Sequence, residues 1–298
     1  MNPRVIAFGE ILWDMLQSGA VLGGAPANFA YRIQSLGVPV VMVSRVGNDT
    51  LGIDALEFLS AAGMDTSLIQ IDKQHHPTGT VQVSLDEGNA RYEFATKVAY
   101  ENIQITDAVN EVAKSVDAIC YGTLAQRGEV SRNSLYSLLE MVPDTALKVV
   151  DINLRVDFTS EIVQTSLSHA NILKLNSDEV EPVCSLLGLP PDLDYRTFAE
   201  TLIEKFSLSH VLVTRGAEGV YGRNSNGEEV DLPGYRVKVA DTIGAGDAFT
   251  AGFVWKKLEG ESFRECCDFG NRLGAIVAES TGGMAPCSVK KAMSLQST

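Results

Sequence analysis

A small-residue turn followed by one carboxylate, Gly244-Ala245-Gly246-Asp247, combines two features that a group-transfer site needs. Its small residues leave backbone N–H groups unobstructed, and a helix that begins there adds partial positive charge, which suits an anionic phosphate. Asp247 would repel a phosphate unless it takes a proton from an incoming hydroxyl, the base role in phosphoryl transfer. Asp also favours helix starts, so its type alone leaves both interpretations open.

The residues on either side predict a strand, the turn and a helix in succession. Tyr235 to Val239 alternates like a strand, and Phe249, Phe253 and Leu258 lie near helical spacing. We therefore expect a strand to lead into the turn, and the helix to begin at it.

Short apolar runs alternate along the chain with stretches at helical spacing. The predicted strands are residues 5–8, 40–43, 68–71, 117–121, 148–151, 172–174 and 210–214, followed by a late hairpin of 220–223 with 229–232. The predicted helices are residues 51–62, 130–141, 161–169, 177–187, 195–206 and 263–279, with another beginning near Pro26. This alternation predicts an α/β fold with a mostly parallel central sheet and helices on both faces.

One segment has a different pattern. Residues 79–85 and 90–94 alternate with period two around a turn at Asp86 to Asn89, which is typical of a hairpin with one exposed face. Because residues 13–22 also look extended, we expect a small antiparallel β lid formed by about 12–22 and 79–95, within one domain of residues 1–298. The alternative is a surface hairpin with no role in binding.

Polar residues follow many of the predicted strands directly. In open α/β sheets, ligands gather at the carboxyl ends of the strands. The residues at these ends are Asp14, Gly122 to Arg127, Asp151 to Arg155, Asn176 to Glu179 and Thr214 to Gly219. Each has an ordinary explanation as a turn or capping residue, but their shared location predicts a ligand site.

Composition excludes several classes of function. The 298 residues carry 24 Lys and Arg against 38 Asp and Glu, a net charge of −14, which argues against binding to nucleic acid or an anionic membrane. We find no leader peptide and no apolar run long enough to span a bilayer, so we expect a cytoplasmic protein. The P-loop, protein-kinase and HExxH patterns are absent.

Two separated stretches resemble the signatures of the ribokinase-like (PfkB) carbohydrate kinases. Asp241 to Phe249 resembles the C-terminal signature of that family, and Gly23 to Asn28 resembles its N-terminal signature. The strand-end groups between them follow in the family's order, so the resemblance covers nearly the whole chain. It implies a kinase that binds ATP and Mg²⁺.

The resemblance also implies roles for single residues. Asp247 would be the base, N–H groups of Gly244, Ala245 and Gly246 would form the anion hole, and Arg155 would contact substrate or developing phosphate charge. The implied sugar-binding residues are Asp14, Gly23, Gly24, Asn28, Arg127, Asn153 and Asp247, and the implied nucleotide-binding residues are Asn176, Thr214, Gly216, Gly219, Gly244, Gly246 and Asn271. Glu179 would act on Mg²⁺ through water. Asp241 matches one ligand of the potassium ion that family members often bind, the other ligands being backbone carbonyls.

Two segments resemble those of bacterial fructokinases, Gly122 to Arg127 and Asp151 to Arg155, although Ile152 stands where proline is usual. We therefore expect fructose as the substrate. A 2-keto-3-deoxygluconate kinase, or another sugar or nucleoside kinase of the family, is the alternative, because Arg127 or Arg155 suits a carboxylate. A non-catalytic sugar or nucleotide sensor on the same fold is the alternative of another class. Lid strands that pair across a two-fold axis would make a homodimer.

Overall fold

Short apolar runs rich in β-branched residues form the strands of a nine-stranded sheet in the computed structural model, which describes residues 5–17, 19–86, 89–156 and 158–295. Its strands are β1 (Val5–Phe8), β4 (Val40–Val46), β5 (Ile69–Ile71), β8 (Ala118–Tyr121), β9 (Leu147–Asp151), β10 (Ile172–Asn176), β11 (His210–Thr214), β12 (Val220–Asn224) and β13 (Glu229–Leu232). A second sheet contains β2 (Leu12–Leu16), β3 (Gly19–Gly23), β6 (Gly79–Asp86) and β7 (Asn89–Phe94).

The strands of the large sheet are connected mainly by helices. These are α1 (Ala25–Ser35), α2 (Thr50–Ala61), α3 (Asp107–Ala113), α4 (Glu129–Met141), α5 (Ser160–His169), α6 (Ser177–Leu187), α7 (Tyr195–Phe206), α8 (Ala245–Leu258), α9 (Phe263–Val277) and α10 (Val289–Ser294). Short 3-10 helices occupy Ala99–Asn102, Leu124–Arg127 and Gly216–Glu218. The sequence did not predict α3 or α10, which are short.

The strand order β13-β12-β11-β10-β9-β8-β1-β4-β5 is parallel from β11 to β5 and antiparallel only at the β11-β12-β13 edge. Successive residues of β1 enter different apolar cores, Val5 and Ala7 one core, Ile6 and Phe8 the other. Because strand side chains alternate between faces, these cores lie on opposite faces of the sheet. The predicted fold class is confirmed.

The second sheet has the order β3-β2-β6-β7. Its two hairpins, β2 with β3 and β6 with β7, are antiparallel, and they are joined by parallel pairing of β2 with β6. It is the small sheet predicted as a lid, although residues 18, 87 and 88 of that segment lie outside the described residues. The indole Nε1 of Trp13 donates to the Leu51 carbonyl at 2.9 Å, which ties β2 to α2.

The prediction of a strand at Tyr235 to Val239 is wrong. The last strand before the glycine turn is β13, and residues 233–239 form no strand. The Tyr235 hydroxyl donates to Asp268 of α9, and the Ala240 N–H donates to the Ala278 carbonyl at 2.8 Å, so this segment runs along α9. Its residues do alternate in polarity, but no strand among the described residues pairs with it through backbone hydrogen bonds.

Among the described residues, no helix combines the length and apolar character needed to cross a membrane.

Candidate active site

The glycine turn packs against another glycine, Gly283. Gly244 adopts the left-handed conformation, with φ 78°, immediately before α8 begins. A Cβ at Gly244 would lie 2.4 Å from the Cα of Gly283, so the turn and the residue 283 backbone approach each other more closely than a side chain allows. Tertiary packing as well as turn geometry therefore requires glycine here.

This turn leaves several N–H groups open. The Ala245 N–H donates to the Thr242 carbonyl at 3.2 Å. The N–H groups of Gly244, Gly246 and Asp247 have no hydrogen-bond partner in the described parts of the chain. In the structure the N–H groups available to an anion are therefore these three, and not that of Ala245 as the sequence predicted.

Asp247 lies in the first turn of α8, and Asn28 of α1 holds its carboxylate. The Asn28 Nδ2 donates to Asp247 Oδ2 at 2.8 Å, while the buried Asn28 Oδ1 has no partner among the described residues. Burial and the charge of Asp151 raise the pKa of Asp247 to about 6, although Lys174, the Asn28 hydrogen bond and Arg155 oppose the rise. Such a carboxylate is still ionised at neutral pH and is a stronger base than an exposed aspartate.

A buried charged network lies beneath the turn. The Lys174 Nζ, on β10, lies 3.0 Å from Asp151 Oδ1 at the end of β9. The Thr250 hydroxyl of α8 donates to the other Asp151 oxygen at 2.9 Å. Lys174 and Thr250 were not among the predicted site residues, and Asp151 entered only as part of a motif. A lysine within the apolar strand Ile172–Asn176 is the signal that would have found this network.

Glu10 is a further acid that the sequence did not single out. It is buried, and burial together with the charge of Asp247 raises its pKa to about 7, although hydrogen bonds from the backbone N–H groups of Glu10 and Ala25 oppose the rise. Its Oε2 has no partner among the described residues. Because the Ala25 N–H at the start of α1 donates to it, Glu10 lies at the N-terminus of the helix that carries Asn28.

The first signature forms one wall of the site. Asp14 lies on β2 opposite Val21 of β3, and a Cβ at Gly23 would lie 2.8 Å from Asp14 Oδ2. Gly24, with φ 108°, precedes α1, and a Cβ there would lie 2.4 Å from the Glu10 carbonyl. Burial raises the pKa of Asp14 to about 6, which Arg155 opposes and Asp241 assists.

Arg155 faces this wall from the loop after β9. It is exposed, and its charge lowers the pKa of both Asp14 and Asp247. Asn153 of the same loop has a positive φ of 41°, a conformation that asparagine tolerates better than most residues. The structure thus brings together the predicted residues Asp14, Asn28, Arg155 and Asp247.

Arg127 is engaged elsewhere. Its guanidinium lies 2.6 Å from Glu101 Oε1 and donates to the Tyr100 hydroxyl at 2.9 Å and to the Ala95 carbonyl. It lines a cavity of about 420 Å³ with Lys97, Arg132 and other residues. These contacts make Arg127 a brace between the start of α4 and the segment after β7, and no described contact joins it to Asp247.

The predicted nucleotide residues outside the glycine turn lie at or just beyond the ends of β10 and β11, or on α9. Asn176 and Glu179 form a capping box at the start of α6, and Glu179 also accepts the Leu154 N–H at 2.7 Å. Thr214 Oγ1 donates to the Leu175 carbonyl, and Asn271 Nδ2 donates to the Pro233 carbonyl at 2.8 Å. Gly216, the first residue of a 3-10 helix, and Gly219, which follows that helix, both have positive φ. All of these side-chain contacts stabilise loops at the strand ends.

Two predicted ion ligands also brace the backbone. Asp241 accepts the Ile243 N–H with one carboxylate oxygen and the Gly282 N–H with the other, both at 3.0 Å. Glu179 likewise accepts an N–H with each oxygen, from Leu154 and Asn176, and burial raises its pKa. The described residues contain no cluster of three or more His, Cys, Asp or Glu arranged around a metal ion.

Comparison with known proteins agrees with this geometry. The model of the pfkB family of carbohydrate kinases matches residues 12–291. The chain is 28% identical to "Putative sugar kinase PH1459" of Pyrococcus horikoshii, over 93% of this chain and 91% of the other. It is 27% identical to an Escherichia coli fructokinase, over 96% and 97%. A fructokinase from Xylella fastidiosa, solved with bound ATP, shares the fold at a TM-score of 0.88 and 21% identity, over 99% and 98% of the two chains. The chain belongs to the pfkB family of carbohydrate kinases.

Proposed function

We propose that this protein transfers the γ-phosphoryl group of ATP to a primary hydroxyl of a small sugar, and that fructose is the sugar. The observation that carries the proposal is the pairing of one partly buried carboxylate, Asp247, with the open N–H groups of Gly244, Gly246 and Asp247 itself. A base and an anion site at one helix start are the two parts that phosphoryl transfer requires.

The proposed reaction begins with the sugar hydroxyl against Asp247 Oδ1, since Oδ2 already accepts from Asn28. The carboxylate takes the hydroxyl proton as the sugar oxygen bonds to the γ-phosphorus. The bond between that phosphorus and the bridging oxygen breaks, and ADP leaves with the electron pair. The open N–H groups of the turn stabilise the charge on the transferred group.

The proposed cofactor is Mg²⁺ held on the ATP phosphates, where it would neutralise their charge. Glu179 fits contact with a hydrated ion through water, because its two oxygens already accept backbone N–H groups but keep lone pairs. Asn176 at the end of β10, Thr214 at the end of β11, Gly216 and Gly219 beyond it, and Asn271 on α9 would border the nucleotide. Asp241 keeps its proposed place beside a potassium ion.

Two observations favour fructose: several relatives are named fructokinases, and Arg127 already forms an ion pair within the protein. Fructose has no carboxylate, and Arg127 is already paired with Glu101. Arg155 is exposed, and no described residue forms an ion pair with it, so a sugar acid such as 2-keto-3-deoxygluconate remains the second candidate through this arginine. In either case closure of the lid, β2, β3, β6 and β7, would exclude water from the transfer.

An ADP-release assay tests the substrate. It runs the protein with ATP and Mg²⁺ over fructose, ribose, 2-keto-3-deoxygluconate and a nucleoside. Turnover highest with fructose supports the proposal, and highest turnover with the sugar acid supports the alternative. Measurable binding without turnover of any substrate would identify a sensor and refute the kinase.

Replacing the base tests the mechanism. Asp247→Asn is expected to lower kcat at least about 100-fold while sugar binding and folding persist, because the amide cannot take the proton. The matched control is Asp107→Asn, which alters the aspartate in the first turn of α3. If Asp247 only favours a helix start, the two variants will keep similar turnover, and the assignment is refuted.

We also propose that the lid pairs two chains into a homodimer. β3 and β7 are the outer strands of the small sheet, and Tyr92 on β7 is 51% exposed. Unpaired strand edges favour such pairing. Gel filtration with light scattering at several concentrations measures the state, and a monomer throughout would refute the pairing.

A further inference from the structure

A lysine ammonium occupies the space in which residue 246 would place a side chain. Lys174 is buried, and its Nζ lies 2.9 Å from the position of a Cβ built on Gly246. Gly246 supplies one of the open N–H groups and directly precedes Asp247. Because Gly246 has no side chain, the Lys174 ammonium can lie against the backbone of the residue that directly precedes Asp247.

The neighbours of Lys174 hold this charge in place. Asp151 accepts one hydrogen bond from Nζ, and its other oxygen accepts from Thr250, which sits one turn after Gly246 on α8. An ammonium has three N–H donors, so this bond leaves two of them without a partner among the described residues. The pKa of Lys174 is raised by Asp151, Glu179 and Asp247 against the effect of burial, so the side chain stays charged.

A charge–charge pair alone does not explain this arrangement. Buried ion pairs contribute little net stability, because desolvation offsets their attraction. In a water-excluded site, however, a fixed cation acts strongly on charge that develops nearby. Among the described residues, the turn itself offers an anion its open backbone N–H groups and the partial positive charge of the α8 N-terminus.

We propose that Lys174 is an electrostatic residue of the phosphoryl-transfer step: beneath Gly246, its ammonium stabilises the negative charge that builds on the transferred group. This inference rests on the proposed kinase function and adds a residue to it. Asp151 and Thr250 then act as positioning residues that hold the ammonium against the turn. A methyl group at residue 246 would have to displace Nζ from this position.

Lys174→Met tests the proposal through the split between turnover and binding. We expect kcat to fall about 100-fold, as for loss of one oxyanion-hole donor, with the Kd for ADP and for fructose changed less than about threefold. The control is Lys148→Met on the neighbouring β9, where the lysine pairs with the exposed Asp144 at 3.6 Å. This variant should keep wild-type kcat.

A second variant covers the risk that Lys174→Met fails to fold, since it leaves Asp151 buried without its cation. In Lys174→Met/Asp151→Asn both charges are removed, and the Asn oxygen can still accept from Thr250. This protein should fold and remain slow. Recovery of kcat to within about threefold of wild type would show that the pair serves only stability, and would overturn the proposal.

Gly246→Ala supplies an independent perturbation that keeps every charge. Its methyl group must push Nζ away, so kcat should fall about tenfold in the wild-type background and less than about twofold when Lys174 is already Met. Additive effects of the two substitutions would contradict the geometry. If the unchanged protein turns over no sugar, the kinase proposal fails and this inference with it; turnover that survives in Lys174→Met refutes this inference alone.

Discussion

Asn28 should set the acid limb of the pH–rate profile. Its side-chain amide donates a hydrogen bond to the Asp247 carboxylate at 2.8 Å. This bond lowers the pKa of Asp247, which burial and Asp151 together raise to about 6. Asn28→Ala removes the donor. The ionised base is then less stable relative to its protonated form, so the pKa of Asp247 must rise.

The size of the shift follows from the strength of the bond. A hydrogen bond to a charged group contributes about 1.5–3 kcal/mol, and Asp247 is only half-buried, so water replaces part of it. A net loss of about 1.4 kcal/mol is one pKa unit, which moves Asp247 from about 6 to about 7. At pH 6.5 the ionised fraction then falls from about three-quarters to about one-quarter, and above pH 9 the two proteins have the same fraction.

The assay is kcat/KM for the sugar from pH 5 to 9, since this ratio reports ionisations of the free enzyme. If Asn28 also binds the sugar, its replacement lowers kcat/KM at every pH. A change in the pKa of Asp247 instead moves the pH midpoint of the acid limb. ATP ionises equally in all variants, so the difference between midpoints is the measurement. Asn28→Asp places a like charge beside the base and should raise the midpoint by more than one unit.

The control is Asn110→Ala, a half-buried asparagine on α3, which should leave the midpoint unchanged. A midpoint that moves less than about 0.2 units in Asn28→Ala would refute the claim that this amide sets the pKa. A downward shift would refute the assignment of the limb to Asp247.

Two further predictions concern residues outside the transfer step. Arg127→Met breaks the pair with Glu101, whose side chains are 6% and 14% exposed, so urea unfolding should show a loss of about 3 kcal/mol with the sugar KM nearly unchanged. A tenfold rise in KM for a sugar acid, without loss of stability, would instead make Arg127 a substrate ligand. Burial lowers the pKa of His210 from 6.5 to about 4, so the unfolded chain binds a proton first, and stability is lost as pH falls from 6.5 towards 4. The loss in the free energy of unfolding reaches about 3 kcal/mol, and it should be absent from His210→Phe. The difference in unfolding free energy between the two proteins should therefore change by this amount as the pH falls. A difference that stays constant with pH would contradict the assignment to His210.

Most of the fold could be predicted because its signals are local. The apolar runs of β1, β8, β10 and β11 are buried on both faces, and such runs imply parallel strands with helical connections. The strand prediction at Tyr235 to Val239 was wrong because alternation describes a strand's faces and not its partner. The sheet edge is already formed by β13, and the segment is held by α9 instead.

The structure brings the predicted site residues together where residue type and turn geometry coincide. Asp247 and the glycines of its turn carry their chemistry in local sequence, and Asn28 follows from the other signature. Arg127 was predicted as a sugar ligand because it follows a strand, but a nearby Glu101 pairs with it. Sequence spacing contains no information about that pairing, since it depends on how Ala99–Asn102 packs against Leu124–Arg127.

The amino-acid sequence by itself determined the class of the large sheet, the existence of the small sheet and the position of the carboxylate that we propose as the base, because these depend on periodicity and on one turn. Tertiary structure alone decided which charges surround that base. Lys174 comes from β10, Asp151 from β9 and Asn28 from α1, and they meet at Asp247 only when the parallel strands and α8 are packed together. Electrostatic energies depend on distance and burial rather than on order along the chain, so the pKa of the base and the field of the anion site arise only in the folded protein.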